Sequence, residues 1–367
     1  MPAQAAAAMD HEVCLPPEVR QAILRAGMSA PSGDNLQPWR LAWQQNSLLL
    51  QHDTTRDTSL YNVLGSAAII ALGAMIETMV IMASTFGYRT EVSYFPDVNQ
   101  RDIAARLGFF SGGASDSLGQ VIFERCVNRK PYACCRLSPS VIGFVGAAAE
   151  RFGGVSVEWL EGDRGLKRLA RLLRIDRLLF ENTHLHRQFF SCLRWTKEEV
   201  ASTRDGLPVE TLEIGAAGTR LFHLLRSWHV VNVLNGFGFS RIAGRRSAQL
   251  IRRSSAVGVL TIAQPSPESF LDVGRAFQRV WLEATAQGLS LQPMTGVLLL
   301  QLRLLLQQTE GLSQRQIDVL ASTRDQLASL FDLKREVPVV MFRIGMADSP
   351  TARTIRRQIS EVCPDAI

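Results

Sequence analysis

The loop APSGDNLQPW, residues 30–39, concentrates polar side chains between a predicted helix and a predicted strand. Pro31 and Pro38 stiffen the loop, and Gly33 permits backbone angles that other residues resist. Its hydrogen-bonding side chains are Ser32, Asp34, Asn35 and Gln37. Such a loop suits holding a flat polar ring by its edge. Composition alone favours the simpler alternative, an ordinary capped turn.

Other reactive side chains form no recognisable catalytic or metal-binding set. His184 and His186, with Glu181 nearby, match no metal-ligand spacing, so a helical surface is predicted there and no metal site. The stretch GFGFS, residues 236–240, lacks the pattern of a dinucleotide-binding fingerprint. We therefore assign no catalytic acid, base or nucleophile from the sequence.

Composition describes a packed globular protein. The chain has 367 residues, 46% of them hydrophobic and 20% charged, with a net charge of +6. The arginines are spread along the chain, so we expect no nucleic-acid partner. Six cysteines fit neither a disulfide framework nor a zinc site, which favours reduced thiols in the cytoplasm.

The apolar stretch at residues 66–84 is long enough to raise the question of a membrane span. It contains Glu77 and many small residues, and no aromatic belt flanks it. A buried central helix is therefore predicted, and no membrane partner. Residues 1–14 have no signal-peptide pattern and are expected to be a flexible tail.

Alternating apolar strands and long helices predict an α+β or three-layer α/β protein. A helix over 17–27 precedes the loop, and a hairpin over 39–52 turns at Gln45-Asn46. The later predicted helices and strands are 61–87, 139–152, 219–234 and 268–288 (helices) and 90–95, 155–160, 257–263 and 337–344 (strands).

The segment APSGDNLQPWRL resembles the signature loop of the nitroreductase family, in which an APSxxNxQPW segment touches the flavin. ERCVNRKPY, from residue 124, resembles the phosphate-binding opening of nitroreductase domains. The run 274–294 resembles the helix and loop that pass over the flavin ring, and RIGMADSPTARTIRR, from residue 343, resembles the basic tail.

The resemblance implies FMN as cofactor and NAD(P)H as transient reductant. It implies that the FMN-binding residues are Ser32, Asn35, Gln37, Pro38, Arg125, Cys126, Asn128, Arg129, Gly288, Leu289, Pro293, Arg353 and Arg356. A backbone N–H within 288–290 would donate to flavin N5, although a simple helix C-cap at Gly288 explains that segment equally well. Cys126 stands where many relatives have Ser, and a thiol is a weaker donor.

The order of these motifs differs from that of an ordinary nitroreductase, which opens with the phosphate motif. Here the loop comes first, and the phosphate-like motif follows only at Arg125. We therefore predict a fused pseudo-dimer with one complete and one decayed flavin site, similar to the fused nitroreductase-like proteins of mycobacterial dormancy responses. Each half would hold a mostly antiparallel sheet flanked by helices.

The predicted boundaries are a tail at 1–14, a first half at 15–115, a second half at 116–358 with a helical insertion at about 163–215, and a tail at 359–367. The chain would be a monomeric pseudo-dimer or a weak homodimer. The implied function is NAD(P)H-dependent reduction or dehydrogenation of a small organic substrate. The alternatives are FMN storage without turnover and a flavin-free scaffold. RDGLP, residues 204–208, could be a lid or a packed excursion.

Overall fold

A computed structural model describes residues 11–365 and contains two four-stranded antiparallel sheets. The strands are β1 (Trp39–Gln44), β2 (Ser47–His52), β3 (Tyr88–Tyr94), β4 (Ile103–Ser111), β5 (Val155–Glu161), β6 (Leu193–Arg194), β7 (Leu207–Pro208), β8 (Ala256–Ile262), β9 (Ser290–Pro293) and β10 (Val337–Gly345). The first sheet has the order β1-β2-β4-β3 and the second β5-β8-β10-β9, while β6 and β7 form a small parallel pair.

Helices flank both sheets. They are α1 (Pro17–Met28), α2 (Ser66–Thr85), α3 (Pro139–Ala147), α4 (Gly162–Leu172), α5 (Leu178–Glu181), α6 (Thr183–Ser191), α7 (Lys197–Thr203), α8 (Gly215–Leu225), α9 (Trp228–Gly236), α10 (Phe239–Arg252), α11 (Pro267–Ala286), α12 (Gly296–Leu305), α13 (Gln314–Leu330) and α14 (Ile359–Val362). Caps fix several ends, as at α11, where Ser266 accepts from the N–H of Ser269.

The two sheets share one topology. In the first half, a 20-residue helix, α2, separates β2 from β3, and in the second half a 20-residue helix, α11, separates β8 from β9. In both sheets the last strand in the chain lies between the second and third of that sheet. This repetition confirms the predicted α+β fold of two related halves fused in one chain.

The halves meet where α2 and α11 cross at two glycines. A Cβ on Gly274 would overlap the carbonyl oxygen of Ile70, and a Cβ on Gly73 would overlap that of Leu271. The backbones of the two helices are therefore in direct contact, which only residues without a side chain allow at this distance.

The predicted buried helix is confirmed. The helical stretch 63–85 is long and apolar enough to cross a membrane, yet 89% of its apolar window is buried inside the protein. Both Leu72 and Met75 are fully buried in the main core, which the two halves share. The stretch is therefore explained as the core helix of the first half.

A long helical excursion, residues 162–255, separates β5 from β8, at the place where the first half has only the turn between β1 and β2. It includes the predicted insertion at 163–215 and continues through α10 to Arg252. The excursion has an apolar cluster of its own, which includes Phe190, Leu207 and Val231.

Strand β4 and the two ends of the chain differ from what the sequence predicts. No strand was expected at β4, because it is buried along most of its length and lacks the alternation that marks a half-exposed strand. Most of the predicted tail 1–14 lies outside the described residues, but the N–H of Val13 donates to Phe109 O. Within the predicted tail 359–367, helix α14 packs on α1 and β1, and Cys363 is buried.

Candidate functional site

Three segments distant in sequence meet around a cavity of about 200 Å³. The loop after α1 forms one wall, the segment 122–129 the second, and the tail at 352–356 the third. The cavity is lined by four of the predicted arginines: Arg125, Arg129, Arg353 and Arg356. The loop and the arginines that the sequence assigned to one site are thus brought together.

Arg125 forms the most enclosed part of this wall. Its guanidinium lies 4.4 Å from the ring centroid of Trp281 and donates to Ser29 O at 2.7 Å. Its Nε has no hydrogen-bond partner among the described residues. Burial, followed by the charges of Arg356 and Arg353, lowers the pKa of Arg125 to about 9.

Arg356 reaches the same cavity from the C-terminal tail. Its Nη1 donates to Asn35 Oδ1 at 2.7 Å and to Thr354 Oγ1 at 2.6 Å. Its Nε also has no partner in the described part of the chain. Burial lowers the pKa of Arg356 to about 10.

The other two arginines differ in exposure. Arg353 is exposed and donates to Phe123 O at 3.2 Å. Arg129 is half-buried and donates to Thr211 O at 3.2 Å. These bonds to carbonyl groups orient the two guanidinium groups, and neither group forms an ion pair within residues 11–365.

Positive charge dominates the cavity. Within residues 11–365, none of the four arginines forms an ion pair, and the single carboxylate in the lining is that of Asp34. Burial raises the pKa of Asp34 to about 6, although the nearby charge of Arg129 opposes the rise. Buried charges need a partner of opposite sign, so the arrangement is suited to an anion with several oxygen acceptors.

Backbone geometry makes the signature loop unusual. Asp34, Asn35 and Gln37 all have positive φ angles, of 45°, 56° and 52°. Such conformations are costly for residues with side chains and persist where the surroundings enforce them. One enforcing contact is the hydrogen bond from the N–H of Gln37 to Ser32 Oγ, at 3.0 Å.

The loop amides bind other parts of the chain. Asn35 Nδ2 donates to Gly206 O at 3.1 Å, and Gln37 Nε2 donates to Arg204 O at 2.9 Å. Gln37 Oε1 accepts the N–H of Arg357 at 2.9 Å. The segment RDGLP therefore closes over the loop, and Gln37 and Pro38 lie behind the cavity wall, whereas Ser32 and Asn35 are in it.

Two further predicted residues differ in their placement. Cys126 lines the cavity as a free thiol. Asn128 is buried behind the cavity wall, and its Nδ2 donates to Ser290 Oγ at 3.0 Å and to Asp348 O at 2.8 Å. Asn128 thus ties the phosphate-like segment to β9 and to the tail.

A second cavity, of about 340 Å³, shares Arg129 with the first. Helices of the excursion and the segment 292–297 enclose it, and Pro293 lies in its wall. Most of its lining is apolar, as with Phe180 and Phe222, and burial raises the pKa of its Asp176 to about 6. Its volume and mostly apolar lining suit a largely apolar ring.

Gly288 and Leu289 line neither cavity. Their N–H groups donate to Thr285 O at 2.9 Å and to Ala284 O at 2.8 Å, and Gly288 has a φ of +71°. This is the helix C-cap that the sequence left open as the alternative, and both N–H groups are already used within the chain.

Two arginines of α11 near the segment that follows β4 are neutralised by carboxylates. The tail after β4 carries Asp116, which accepts from Arg279 Nη1 at 2.8 Å, and Glu77 accepts from Arg279 and from Arg275 Nε at 2.8 Å. The carboxylates therefore compensate the charges of Arg275 and Arg279, unlike those of the cavity arginines.

Sequence reasoning missed three contributions to the basic cavity: Ser29, Thr354 and the carboxylate of Asp34 as its counter-charge. Only the position of Asp34 within the loop could have indicated its role. No group of three metal-ligating side chains occurs within residues 11–365.

Fold and cavity together define an α+β protein of two fused halves with a basic pocket between them. No family model matches the chain. An uncharacterised protein of Mycobacterium tuberculosis CDC 1551 is 25% identical over 291 residues, which are 77% of this chain and 40% of that protein. A protein of M. tuberculosis H37Rv, provisionally named an NAD(P)H nitroreductase, is 25% identical over 169 residues, 45% of this chain and 48% of its own.

The chain thus spans less than half the length of these curated relatives. The similarity to a mycobacterial protein named as a nitroreductase confirms the resemblance inferred from the sequence.

Among solved structures, the chain is similar to the FMN-dependent nitroreductase NfnB from Mycobacterium smegmatis in complex with NADPH. It is 16% identical, with a TM-score of 0.38 over 66% of this chain and 94% of its own. The FMN- and NADPH-dependent nitroreductase NfnB from Sphigopyxis sp. strain HMH is 13% identical, with a TM-score of 0.40 over 67% and 97%.

Proposed function

We propose that this chain is an FMN-binding oxidoreductase of nitroreductase type, with the FMN phosphate held in the basic cavity. The observation that carries this proposal is the set of four arginines that line a cavity of about 200 Å³ and have no ion-pair partner within residues 11–365. A phosphate monoester brings nearly two negative charges and three acceptor oxygens, which match this need.

The residues that would hold the phosphate are Arg125, Arg353 and Arg356. Within residues 11–365 none of the three forms an ion pair, and the buried Nε atoms of Arg125 and Arg356 have no hydrogen-bond partner. Planar guanidinium groups can donate two parallel hydrogen bonds to a phosphate. Cys126 adds only a weak donor, so the arginines supply most of the binding free energy.

The isoalloxazine ring would extend past Arg129 into the larger, apolar cavity. Arg129 belongs to both walls and can contact the phosphate end and the ring end of one ligand. Bound FMN would accept a hydride from NAD(P)H and pass it to a small organic substrate. The chain's own part is to orient the ring, with Pro293 in the wall, and to exclude water with the excursion helices.

On the same proposal, the protein is cytoplasmic and binds one flavin per chain. It acts as a monomeric pseudo-dimer or a weak homodimer. The closure of RDGLP over Asn35 and Gln37 is consistent with a covered ring. It supports either a gated enzyme or a protein that holds FMN without turnover.

A titration of the purified chain with FMN, followed by stopped-flow mixing with NADH or NADPH, tests the proposal. We expect saturable binding and bleaching of the flavin absorbance by one nicotinamide. Binding without bleaching would exclude the reductase and leave the storage function. A chain that takes up no FMN would overturn the proposal as a whole.

A further inference from the structure

The net positive charge of this protein is concentrated in one part of the excursion, because that part has arginines and no acidic residues. Residues 214–267 contain seven arginines and no Asp, Glu or Lys. This segment therefore carries +7, and since the whole chain carries +6, the rest carries −1. All seven arginines, at 220, 226, 241, 245, 246, 252 and 253, are exposed.

The same helices present large apolar side chains to solvent. The exposed ones are Leu221 and Leu224 on α8, Val230 and Val233 on α9, Phe237 at the turn between α9 and α10, and Ile242 on α10. Phe237 is 86% exposed, more than any other large apolar side chain within residues 11–365. Since α9 packs on both α8 and α10, these residues lie on neighbouring helices.

The apolar residues follow helical spacing on the outer faces. Val230, Val233 and Phe237 are three and four positions apart, whereas Val231 alone is buried on α9. Leu225 is likewise the one buried residue of α8. These helices therefore expose more apolar surface than the packing of the molecule requires.

Charge restricts what can cover this face. A second copy meeting it through a two-fold contact would bring two sets of arginines together without a carboxylate between them. The occupant must be anionic and must also accept isolated apolar side chains. Those two properties coincide at the surface of a membrane that contains acidic phospholipids.

We propose that the outer face of α8–α10 docks on an anionic lipid surface. Phe237, held out on the turn Gly236–Gly238, enters the boundary between headgroups and acyl chains, and Arg241 and Arg245 bind headgroup phosphates. Neither arginine side chain makes a hydrogen bond or an ion pair within the described chain, so both are free for this contact. An acidic protein would need a surface that matches six apolar side chains spread over three helices and the turn between two of them. A fluid lipid interface needs no such match, because it adapts to the side chains.

Co-sedimentation of the full chain with lipid vesicles tests this surface. We expect binding to vesicles of phosphatidylcholine mixed with phosphatidylglycerol and much weaker binding to phosphatidylcholine alone. Added salt should weaken the binding, because the arginine contribution is screened. The double variant Phe237→Ser/Arg241→Gln should bind the acidic vesicles roughly tenfold more weakly than the parent, since it removes one inserted ring and one charge.

A matched control comes from the first half. Val98 is 81% exposed, and Arg101 lies three residues further in the same loop between β3 and β4. The variant Val98→Ser/Arg101→Gln removes the same kinds of side chain and should bind vesicles as the parent does. Circular dichroism establishes that both variants are folded.

Three outcomes would overturn the proposal. They are no preference for the acidic vesicles, equal losses in both double variants, and a stable dimer in solution that only the Phe237→Ser/Arg241→Gln variant disrupts. The last outcome would assign the face to self-association. Absence of vesicle binding together with capture of an acidic protein would assign it to a protein partner.

Discussion

Arg125 shows how single residues define the candidate site. Its guanidinium is buried against Trp281 and donates to one carbonyl, and its Nε has no hydrogen-bond partner within residues 11–365. A surface arginine of the same charge has none of these features, because water satisfies its donors. The burial and hydrogen bonding of each arginine therefore say more about function than the net charge does.

At the residue scale, Arg353→Gln should weaken FMN binding about tenfold, because it removes one charge-assisted hydrogen-bond donor from the phosphate. Arg353 is exposed, so the fold should tolerate the change. Fluorescence titration of FMN measures the dissociation constant. Arg101→Gln is the control, and equal affinities of the two variants would contradict the role of Arg353.

The carboxyl of Asp34 gives a prediction about pH. Its pKa is about 6 in the folded chain and 3.8 in the unfolded chain. A raised pKa means that the folded state binds the proton more tightly, so this stabilisation is present below pH 4 and is lost as the pH rises through 6. Asp34→Asn should therefore be more stable than the parent at pH 7.5, by on the order of 1 to 3 kcal/mol, and equal to it near pH 4.

Urea unfolding of the FMN-free chain at several pH values measures this difference. Asp348→Asn, at an exposed position of the tail, serves as the control. A stability difference between Asp34→Asn and the parent that stays constant from pH 4 to pH 7.5 would be incompatible with a raised pKa of Asp34.

At the scale of elements, the crossing of α2 and α11 holds the two halves together. The crossing places Gly73 and Gly274 against each other, so their main chains touch. Each helix is 20 residues long and carries buried apolar residues on both sides of its glycine. The site depends on this contact, because the loop comes from one half and the arginines from the other.

Gly274→Ala should destabilise the protein by about 2 kcal/mol or more, since the added methyl group would overlap the carbonyl of Ile70. Gly143→Ala is the matched control within α3. Its added methyl group meets nothing within 4 Å, so helix propensity should make that variant more stable by about 0.5 to 1 kcal/mol. Thermal or urea unfolding compares the two, and equal effects would argue against a tight helix crossing.

At the scale of the whole molecule, the two halves repeat one topology but differ in charge. Within residues 11–365 the cavity between loop and tail has arginines without an ion pair, whereas Arg275 and Arg279 on α11 pair with Glu77 and Asp116 of the first half. An anion is therefore favoured electrostatically in the cavity and not beside the paired arginines of α11. The asymmetry therefore belongs to the fused chain and would not exist in a symmetric dimer.

This asymmetry predicts one FMN per chain. Flavin released by heat or acid and measured by absorbance, divided by the protein concentration, should approach one at saturation. Two equivalents per chain would contradict the single site, and would require Asp116 and Glu77 to release their arginines.

The sequence by itself determined the features that depend on neighbouring residues. The hairpin over 39–52, the buried helix 66–85 and the closing strand follow from local periodicity and turn residues. The polar loop and the arginine segments were likewise visible, and their order along the chain indicated a fusion of two halves.

Only the tertiary structure decided which groups meet. It brought Arg125 and Arg356 to one cavity, placed the amides of Asn35 and Gln37 on the excursion, and left the N–H of Leu289 inside a helix cap. These outcomes depend on contacts between residues up to 327 positions apart, as between Ser29 and Arg356. No local pattern encodes such contacts, because they follow from the packing of the two halves against each other.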